Sequence, residues 1–514
     1  MRLLERVQDK ESCNEIYHFI LNQQIDEANV KVEKLTDKSD QVSMKTVLID
    51  YYVNLVDFQK GYELAKKLLP EVIDKNIQIE GIVRFQLNYS LVWVGELQEL
   101  QISLTDFKNR LVSITNIKEL FQWNCYISFI EGVHNYRIGN YELSETLLKQ
   151  SLKQALDIGK RIHVAYRHLF LGILYIEIGD IDLAVENLSI CRLLAREINN
   201  VGIEYWSIFW TAVGDLKVDR FSEATKKFNE CQTFISKKKY YSNWIQAYLK
   251  HSLAKLYYLQ DDYKNAKENF YESLILREQN SDFMGISQCL FDLIVIELDE
   301  KNPAKASEYL LKLEVDVESY NNSLIYCRQQ IAKALIQKNK NRLYDKALAY
   351  KILKEILDHQ NLNEELKIIA VLEICDVLII EYQATNNEAP LEEIHFLLRE
   401  LNESLETKRT KYSLQIETLL FRSQIFLLQG NVNEANRLII DAKNLVEKNN
   451  LLHTKFYPKI EKKQQNLLDQ VRRWKQLAEE NIDIRTELNE LQLSNYIKDL
   501  RAISKEYGFK FTGN

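Results

Sequence analysis

A pattern of glycine, aromatic and small residues recurs along this chain about every forty residues. One copy comprises Gly132, Tyr136, Gly139, Asn140, Tyr141, Ser144 and Leu148, and the next comprises Gly172, Tyr175, Gly179, Asp180, Ile181, Ala184 and Leu188. A sequence that repeats at this interval predicts a solenoid, in which each unit packs mainly against its two neighbours. This constraint overrides the division into several globular domains that 514 residues would otherwise suggest.

The small residue of the pattern gives the number of units. It recurs at Ala184, Ala224, Ala266, Ala306 and Ala347, with spacings of 40, 42, 40 and 41 residues. Further positions placed in the same slot are Ser144, Leu100, Ala65 and Ala28 upstream, and Ala435 downstream. One unit between Ala347 and Ala435 lacks the small residue, so the array contains about eleven units.

Each unit is predicted to contain two helices separated by a short turn. Between positions 162 and 199, apolar residues recur at helical spacing on both sides of Gly179 and Asp180. Glycine tolerates the left-handed conformation that ends a helix, and aspartate caps the free N–H groups of the next one. The whole chain has 14 glycines and 4 prolines, which is few for a fold rich in tight turns. We therefore predict an all-α protein.

The residues of this pattern resemble those of tetratricopeptide repeats. The resemblance rests on Leu171-Gly172-x-x-Tyr175 with Gly179, Ala184 and Leu188, and on Tyr263, Ala266, Phe270 and Ser273 in a later unit. It covers roughly positions 22–445, although the units are longer than the 34 residues of that family, and His168 replaces its early tryptophan. The resemblance implies a right-handed α-solenoid in which the first helix of each unit lines a concave groove.

Three regions are expected along the chain. Positions 1–110 are predicted to hold divergent helical repeats, 111–455 the tetratricopeptide-like array, and 456–514 a long C-terminal helix. In this last region, apolar residues recur at three, four or seven positions from Leu467 to Ile503. Such an amphipathic helix can cap the apolar end of the solenoid, form a coiled-coil homodimer, or lead into an output domain.

The groove of the solenoid is the candidate binding surface. When the sequence is registered on the family pattern, its wall includes Tyr126, Phe129, Tyr136, Tyr166, Trp206, Phe209, Tyr248, His251, Lys255, Tyr258 and Phe291. Contiguous exposed aromatic residues are typical anchors of protein interfaces, so we expect a peptide or an amphipathic helix here. The alternative is that a tightly wound solenoid buries the same residues in its own core. His251 is interpreted as a structural or groove-lining residue.

Several other functions are disfavoured by the sequence. No metalloprotease, nucleophile-elbow or phosphate-loop motif occurs, so we predict a protein without enzymatic activity, catalytic residues, cofactor or metal. The net charge of −7 argues against nucleic-acid binding, and no apolar stretch is long enough to cross a membrane. Seven scattered cysteines lack metal-site spacing, and Cys191 and Cys231 are predicted core residues. We therefore expect a cytoplasmic protein.

Two functions remain. The first is a scaffold that binds a peptide or a helix of a partner protein in its groove. The second is a signalling regulator whose superhelix changes shape when a peptide or other ligand binds, and which acts through the C-terminal helix. No second domain is evident in the sequence, which favours the scaffold.

Overall fold

A computed structural model describes residues 7–479, except positions 22–23, 55–56, 96, 239–241, 320–321, 360–361, 363, 386, 407–411, 430, 450 and 453. The described residues form 23 α-helices and no strand, so the all-α prediction is confirmed. In chain order the helices are α1 (Lys10–Leu21), α2 (Ile25–Lys34), α3 (Lys38–Asn54), α4 (Phe58–Val72), α5 (Ile77–Val94), α6 (Leu97–Leu111), α7 (Ile117–Arg137), α8 (Tyr141–Ile158), α9 (Arg161–Glu177), α10 (Ile181–Glu197), α11 (Val201–Lys217), α12 (Phe221–Lys238), α13 (Asn243–Leu259), α14 (Tyr263–Gln279), α15 (Phe283–Asp299), α16 (Pro303–Ser319), α17 (Ser323–Lys338), α18 (Leu343–Leu357), α19 (Glu364–Thr385), α20 (Ala389–Glu406), α21 (Tyr412–Leu428), α22 (Val432–Lys448) and α23 (Phe456–Glu479).

The helices are arranged as two layers of a solenoid. Except for α20 and α21, each helix packs against the next one in the chain, as expected for a series of helix-turn-helix units. Along most of the array, each odd-numbered helix also contacts the next odd-numbered helix, so these helices form the inner layer. The first helix of each unit therefore faces the axis of the solenoid, as the family resemblance implies.

The small-residue slot lies at the fourth position of the second helix of a unit. Ala184, Ala224, Ala266 and Ala306 all occupy this position, and each is at most 1% exposed. Two sequence assignments are wrong. In α4 the fourth residue is Gly61 rather than Ala65, and in α18 Ala347 is the fifth residue and is exposed. A shift of one residue turns a side chain by roughly 100° about the helix axis, which moves Ala347 out of the helix interface.

The predicted turn chemistry is confirmed between α9 and α10. Gly179 adopts a left-handed conformation with φ of 82°, and the Asp180 carboxylate accepts a hydrogen bond of 3.2 Å from the N–H of Leu183. In the unit without a glycine, Asp261 takes the left-handed position and Asp262 caps α14 through the N–H of Asn265 at 3.1 Å. The two connections therefore use the same geometry with different residues.

Gly172 marks a close approach between α9 and α10. A Cβ atom at Gly172 would lie 2.6 Å from Cγ of Leu188, whereas one at Gly214 in α11 would meet nothing closer than 3.6 Å. We therefore expect Gly172→Ala to lower the free energy of unfolding by about 1–3 kcal/mol through overpacking. Gly214→Ala is the matched control and should be neutral or stabilising, because alanine favours the helix by about 1 kcal/mol. Urea unfolding of both variants measures the difference, and equal stabilities would contradict the close approach.

Helix α13, in the middle of the array, contacts both an N-terminal unit and the segment that precedes α23. The Trp244 ring near its start lies 5.3 Å from the Phe58 ring of α4 and 6.0 Å from the Trp93 ring of α5. Near its end, the carbonyl of Leu259 accepts a hydrogen bond of 3.0 Å from the N–H of Lys455. The solenoid is therefore wound tightly enough for distant units to touch across its axis.

The start of the C-terminal helix packs against the last unit of the array. Phe456, Ile460 and Leu467 of α23 are at most 3% exposed and pack with α21 and α22. This packing agrees with the capping interpretation for the first part of the helix. The predicted amphipathic pattern from position 480 to Ile503, on which dimerisation or an output domain would depend, lies outside the described residues.

The cysteines are core residues. All seven are free and buried, and Cys191 and Cys231 are fully inaccessible, which confirms the sequence prediction for both. Burial raises the pKa of the Cys191 thiol to about 12, so the unreactive thiol form is favoured there. None of the helices in the described ranges combines the length and the apolar character needed to cross a bilayer.

Candidate functional site

The inner layer encloses a cavity of about 920 Å³. Every odd-numbered helix from α7 to α23 contributes side chains to its wall, so the cavity follows the axis through the C-terminal two thirds of the array. Its volume lies within the range of about 300–1,000 Å³ that is usual for ligand pockets. The wall combines aromatic rings with charged groups, and the cavity is therefore the candidate binding site.

Seven of the eleven predicted groove residues line this cavity. They are Tyr136, Phe209, Tyr248, His251, Lys255, Tyr258 and Phe291. The cavity wall does not include Tyr126, Phe129, Tyr166 or Trp206. Of these four, Trp206 borders the wall, because its ring lies 5.5 Å from Phe209 and 5.7 Å from Tyr248.

The N-terminal part of the groove is filled by the protein itself. The Tyr126 ring lies 4.7 Å from Phe85, and the Phe129 ring lies 5.2 Å from Phe170 and beneath the Arg167 guanidinium at 4.1 Å. Phe129 is only 1% exposed. These rings form an aromatic core rather than an open wall, which is the alternative that the sequence left open.

The residues that fill the groove come from α5, a helix that the groove prediction did not include. Phe85, Tyr89 and Trp93 are spaced four residues apart and therefore share one helix face. The Tyr89 ring lies 6.0 Å from Phe129, and Trp93 lies 6.2 Å from Phe170. This spacing is visible in the sequence and would have predicted an aromatic stripe facing inward.

A network of charged groups crosses the cavity from α13. The Lys255 ammonium lies 2.8 Å from an Oε1 of Glu365 in α19, a residue 110 positions away, and 3.9 Å from Oδ2 of Asp292. His251 forms a hydrogen bond of 2.8 Å through Nε2 with the same Asp292 oxygen. Burial opposes the charged form of Lys255, but the two carboxylates outweigh it and raise the pKa of Lys255. The network thereby ties the two walls of the cavity together.

His251 gives the fold a pH dependence that can be measured. Burial lowers its pKa to about 4, although Asp292 opposes the shift, while the unfolded chain has a value near 6.5. The unfolded state therefore binds the proton more readily, and the contribution of His251 to stability is present above pH 6.5 and is lost as the pH falls toward 4. A shift of this size corresponds to roughly 3 kcal/mol. Urea unfolding at several pH values should show a smaller loss of stability at low pH in His251→Asn than in the parent protein. Identical pH profiles of the two proteins would contradict this role of His251.

The cavity wall carries no overall charge. Among its described residues, nine are lysine or arginine and nine are aspartate or glutamate. A nucleic-acid groove would show a clear excess of basic residues, which this wall lacks. In the described part of the chain, no group of three or more His, Cys, Asp and Glu side chains is arranged to hold a metal ion.

The wall also contains functional candidates that sequence reasoning missed. They are Trp210, Asp292, Asp299, Arg328 and Glu365, together with Lys455, Lys459 and Lys463 near the C-terminal end. The family pattern assigns groove positions within one unit, but these residues meet only because units far apart in the chain face each other across the axis. No spacing in the sequence specifies that curvature.

Comparison with known proteins identifies solved structures of similar fold. No protein-family profile matches the sequence, and no curated protein matches it. A Rap protein complexed with competence and sporulation factor shares 13% identity, with a TM-score of 0.53 over 72% of this chain and 98% of that one. NprR in complex with its cognate peptide NprX also shares 13% identity, with a TM-score of 0.50 over 70% of this chain and 98% of that one. The chain therefore has the fold of tetratricopeptide-like helical-repeat proteins.

Proposed function

We propose that this protein is a non-enzymatic scaffold that binds a peptide or a helix of a partner protein inside the solenoid. The cavity along the inner layer is the observation that carries this proposal. Two proteins of similar fold support it, because one was solved with competence and sporulation factor and the other with its cognate peptide. The proposed site keeps the seven predicted residues that line the cavity.

The chemistry of the wall suits a peptide. Trp210 and Val295 are half-buried and offer apolar contact area, while Tyr258 donates its hydroxyl hydrogen to Asp299 at 2.7 Å. Peptides present alternating apolar and hydrogen-bonding groups, and binding sites of this mixed kind fix both their side chains and their backbone. The paired charges supply specificity, since a ligand must match their arrangement.

An affinity capture from native lysate tests the scaffold. The bait proteins are the intact chain, a Trp210→Ala, Val295→Ala variant of the cavity wall, and a Leu311→Ala, Tyr344→Ala control. Leu311 and Tyr344 are 63% and 74% exposed and do not line the cavity. A protein or peptide enriched by the intact chain and the control, but not by the cavity variant, would support the proposal. Equal capture by all three, after equal helicity is verified, would exclude the cavity as the binding site.

A second candidate function is a ligand-gated regulator that acts through the C-terminal helix. The observation that favours it is that Lys455, Pro458, Lys459 and Lys463, at or near the start of α23, form part of the cavity wall. A ligand in the cavity would therefore contact α23 directly and change its packing. Hydrogen exchange of α23 with and without the captured ligand tests this function. Unchanged protection of α23 would exclude the regulator and retain only the scaffold function.

We propose a cytoplasmic location, which seven free and buried cysteines support because such thiols are typical of reducing compartments. A homodimer formed by the last part of the C-terminal helix is also proposed. Sedimentation of the full chain at several concentrations tests it.

A further inference from the structure

Three lysines form a stripe where the C-terminal helix meets the cavity. Lys459 and Lys463 lie one turn apart on one face of α23, Lys455 immediately precedes this helix, and all three line the cavity. The Lys455 ammonium lies 4.0 Å above the Tyr258 ring, and the N–H of Lys455 is held by Leu259. This lysine stripe therefore has a fixed position relative to α13.

The lysine stripe has fewer carboxylate partners than the rest of the cavity wall. The other lysines of the wall each pair with a carboxylate: Lys217 with Glu177 at 3.1 Å, Lys255 with Glu365 at 2.8 Å, and Lys338 with Asp376 at 3.0 Å. Within the stripe, Lys459 pairs with Glu417 at 2.7 Å. Among the described residues, no carboxylate forms an ion pair with Lys455 or Lys463, and Lys463 donates a hydrogen bond to the amide oxygen of Gln424.

The electrostatics of the lysine stripe agree with this geometry. Burial lowers the pKa of Lys455 and of Lys463, and repulsion from Lys459 lowers both further. Asp299 beside Lys455, Asp376 beside Lys463 and Glu417 beside both offset these effects only in part. A negative group placed between the ends of the stripe would raise the pKa of both lysines and form charge-assisted hydrogen bonds with them.

We infer that the lysine stripe binds an acidic segment of the peptide or partner protein that enters the cavity. This inference rests on the proposed function and specifies the chemistry of its ligand. Tyr258 lies beneath Lys455, and Leu420 and Phe421 line the same cavity; these aromatic and apolar residues suit the aliphatic part of acidic side chains. Because Lys459 and Lys463 lie near the start of α23 and most of the wall lies between α7 and α21, the acidic segment also fastens the C-terminal helix to the array.

Binding of short labelled peptides to the full chain tests the inference. The probes are hexaglutamate and hexaglutamine, followed by fluorescence anisotropy. The stripe variant is Lys455→Gln, Lys463→Gln. The control is Lys448→Gln, Lys462→Gln, which makes the same change of charge at two exposed lysines outside the cavity wall. A Lys455→Arg, Lys463→Arg variant keeps the charge, and circular dichroism verifies that all four proteins are equally helical.

The expected result is a clear preference for the acidic probe that depends on the stripe. Hexaglutamate should bind at least about tenfold more tightly than hexaglutamine, and the stripe variant should lose about ten- to a hundredfold in affinity for it. The control and the arginine variant should retain the affinity. Equal binding of both probes, no binding, or unchanged affinity in the stripe variant would overturn the inference. Displacement of hexaglutamate by inorganic phosphate at constant ionic strength would also overturn it, in favour of a free small anion.

The same stripe variant separates this inference from the proposed function. Used as bait in the lysate capture, it should lose the partner together with the cavity variant. If the stripe variant still captures the partner while the Trp210→Ala, Val295→Ala variant does not, the scaffold stands and the acidic segment is excluded. If no bait captures a partner but hexaglutamate binding depends on the stripe, the proposed scaffold function is rejected, whereas the lysine stripe still binds acidic peptides.

Discussion

Replacing Phe209 by glutamate is expected to unfold the middle of the array rather than to block binding alone. Phe209 is 1% exposed, and its ring packs against Trp206 at 5.5 Å, Trp210 at 5.4 Å and Tyr248 at 6.2 Å. Truncation of a buried phenylalanine costs about 3–5 kcal/mol, and a carboxylate in the same place adds the cost of an unpaired buried charge. The sum is comparable to the whole stability of many domains, so the urea midpoint and the helical signal should both fall sharply.

Trp210→Glu is the matched control for this prediction. Trp210 is the next residue of α11 and also lines the cavity, but it is half-buried, so a glutamate there can reach solvent. We expect this variant to keep its helicity and a free energy of unfolding within about 1 kcal/mol of the parent protein. A folded Phe209→Glu protein with an unchanged midpoint would show instead that the Phe209 ring faces an open groove, as the sequence pattern suggests.

The repeat pattern was sufficient to predict the fold because each unit contacts mainly its neighbours. Several correctly predicted features depend on interactions within one unit or between adjacent units. They are the small-residue slots of Ala184, Ala224 and Ala266, the left-handed turn at Gly179 and the helix cap at Asp180. Such interactions recur with the period of the sequence. The errors at Ala65 and Ala347 have the same local origin, since irregular spacing moves the start of α4 and α18 relative to the small residue.

The candidate site was predicted less completely because it depends on how tightly the solenoid is wound. Tyr126 and Phe129 occupy the same repeat positions as Tyr248 and His251, yet only the latter two reach the cavity, since α5 covers the former. The ion pair between Lys255 and Glu365 joins residues 110 positions apart. Small rotations between successive units accumulate to produce such contacts, and no local sequence feature determines their sum.

Asp282→Ala is expected to produce a second large loss of stability, because Asp282 has two roles in a buried site. Its Oδ2 lies 3.0 Å from Nη1 of Arg277, with both side chains at most 3% exposed, and its Oδ1 caps α15 through the N–H of Gly285 at 3.2 Å. Removing one partner of a buried ion pair costs about 3–5 kcal/mol, and loss of the cap adds about 1 kcal/mol. Chemical unfolding measures the change.

Two further variants separate the roles of Asp282. Asp282→Asn keeps a cap acceptor but removes the negative charge, so most of the loss should remain, whereas Asp262→Ala removes only the cap of α14 and should cost about 1 kcal/mol. An Asp282→Asn protein as stable as the parent would show that the ion pair contributes little. Because the Arg277 guanidinium lies 4.7 Å above the Tyr248 ring in the cavity wall, loss of Asp282 removes one of the two side chains, Asp282 and Ser273, that hold this guanidinium. Partner capture by Asp282→Asn should therefore weaken even under conditions where the variant remains folded.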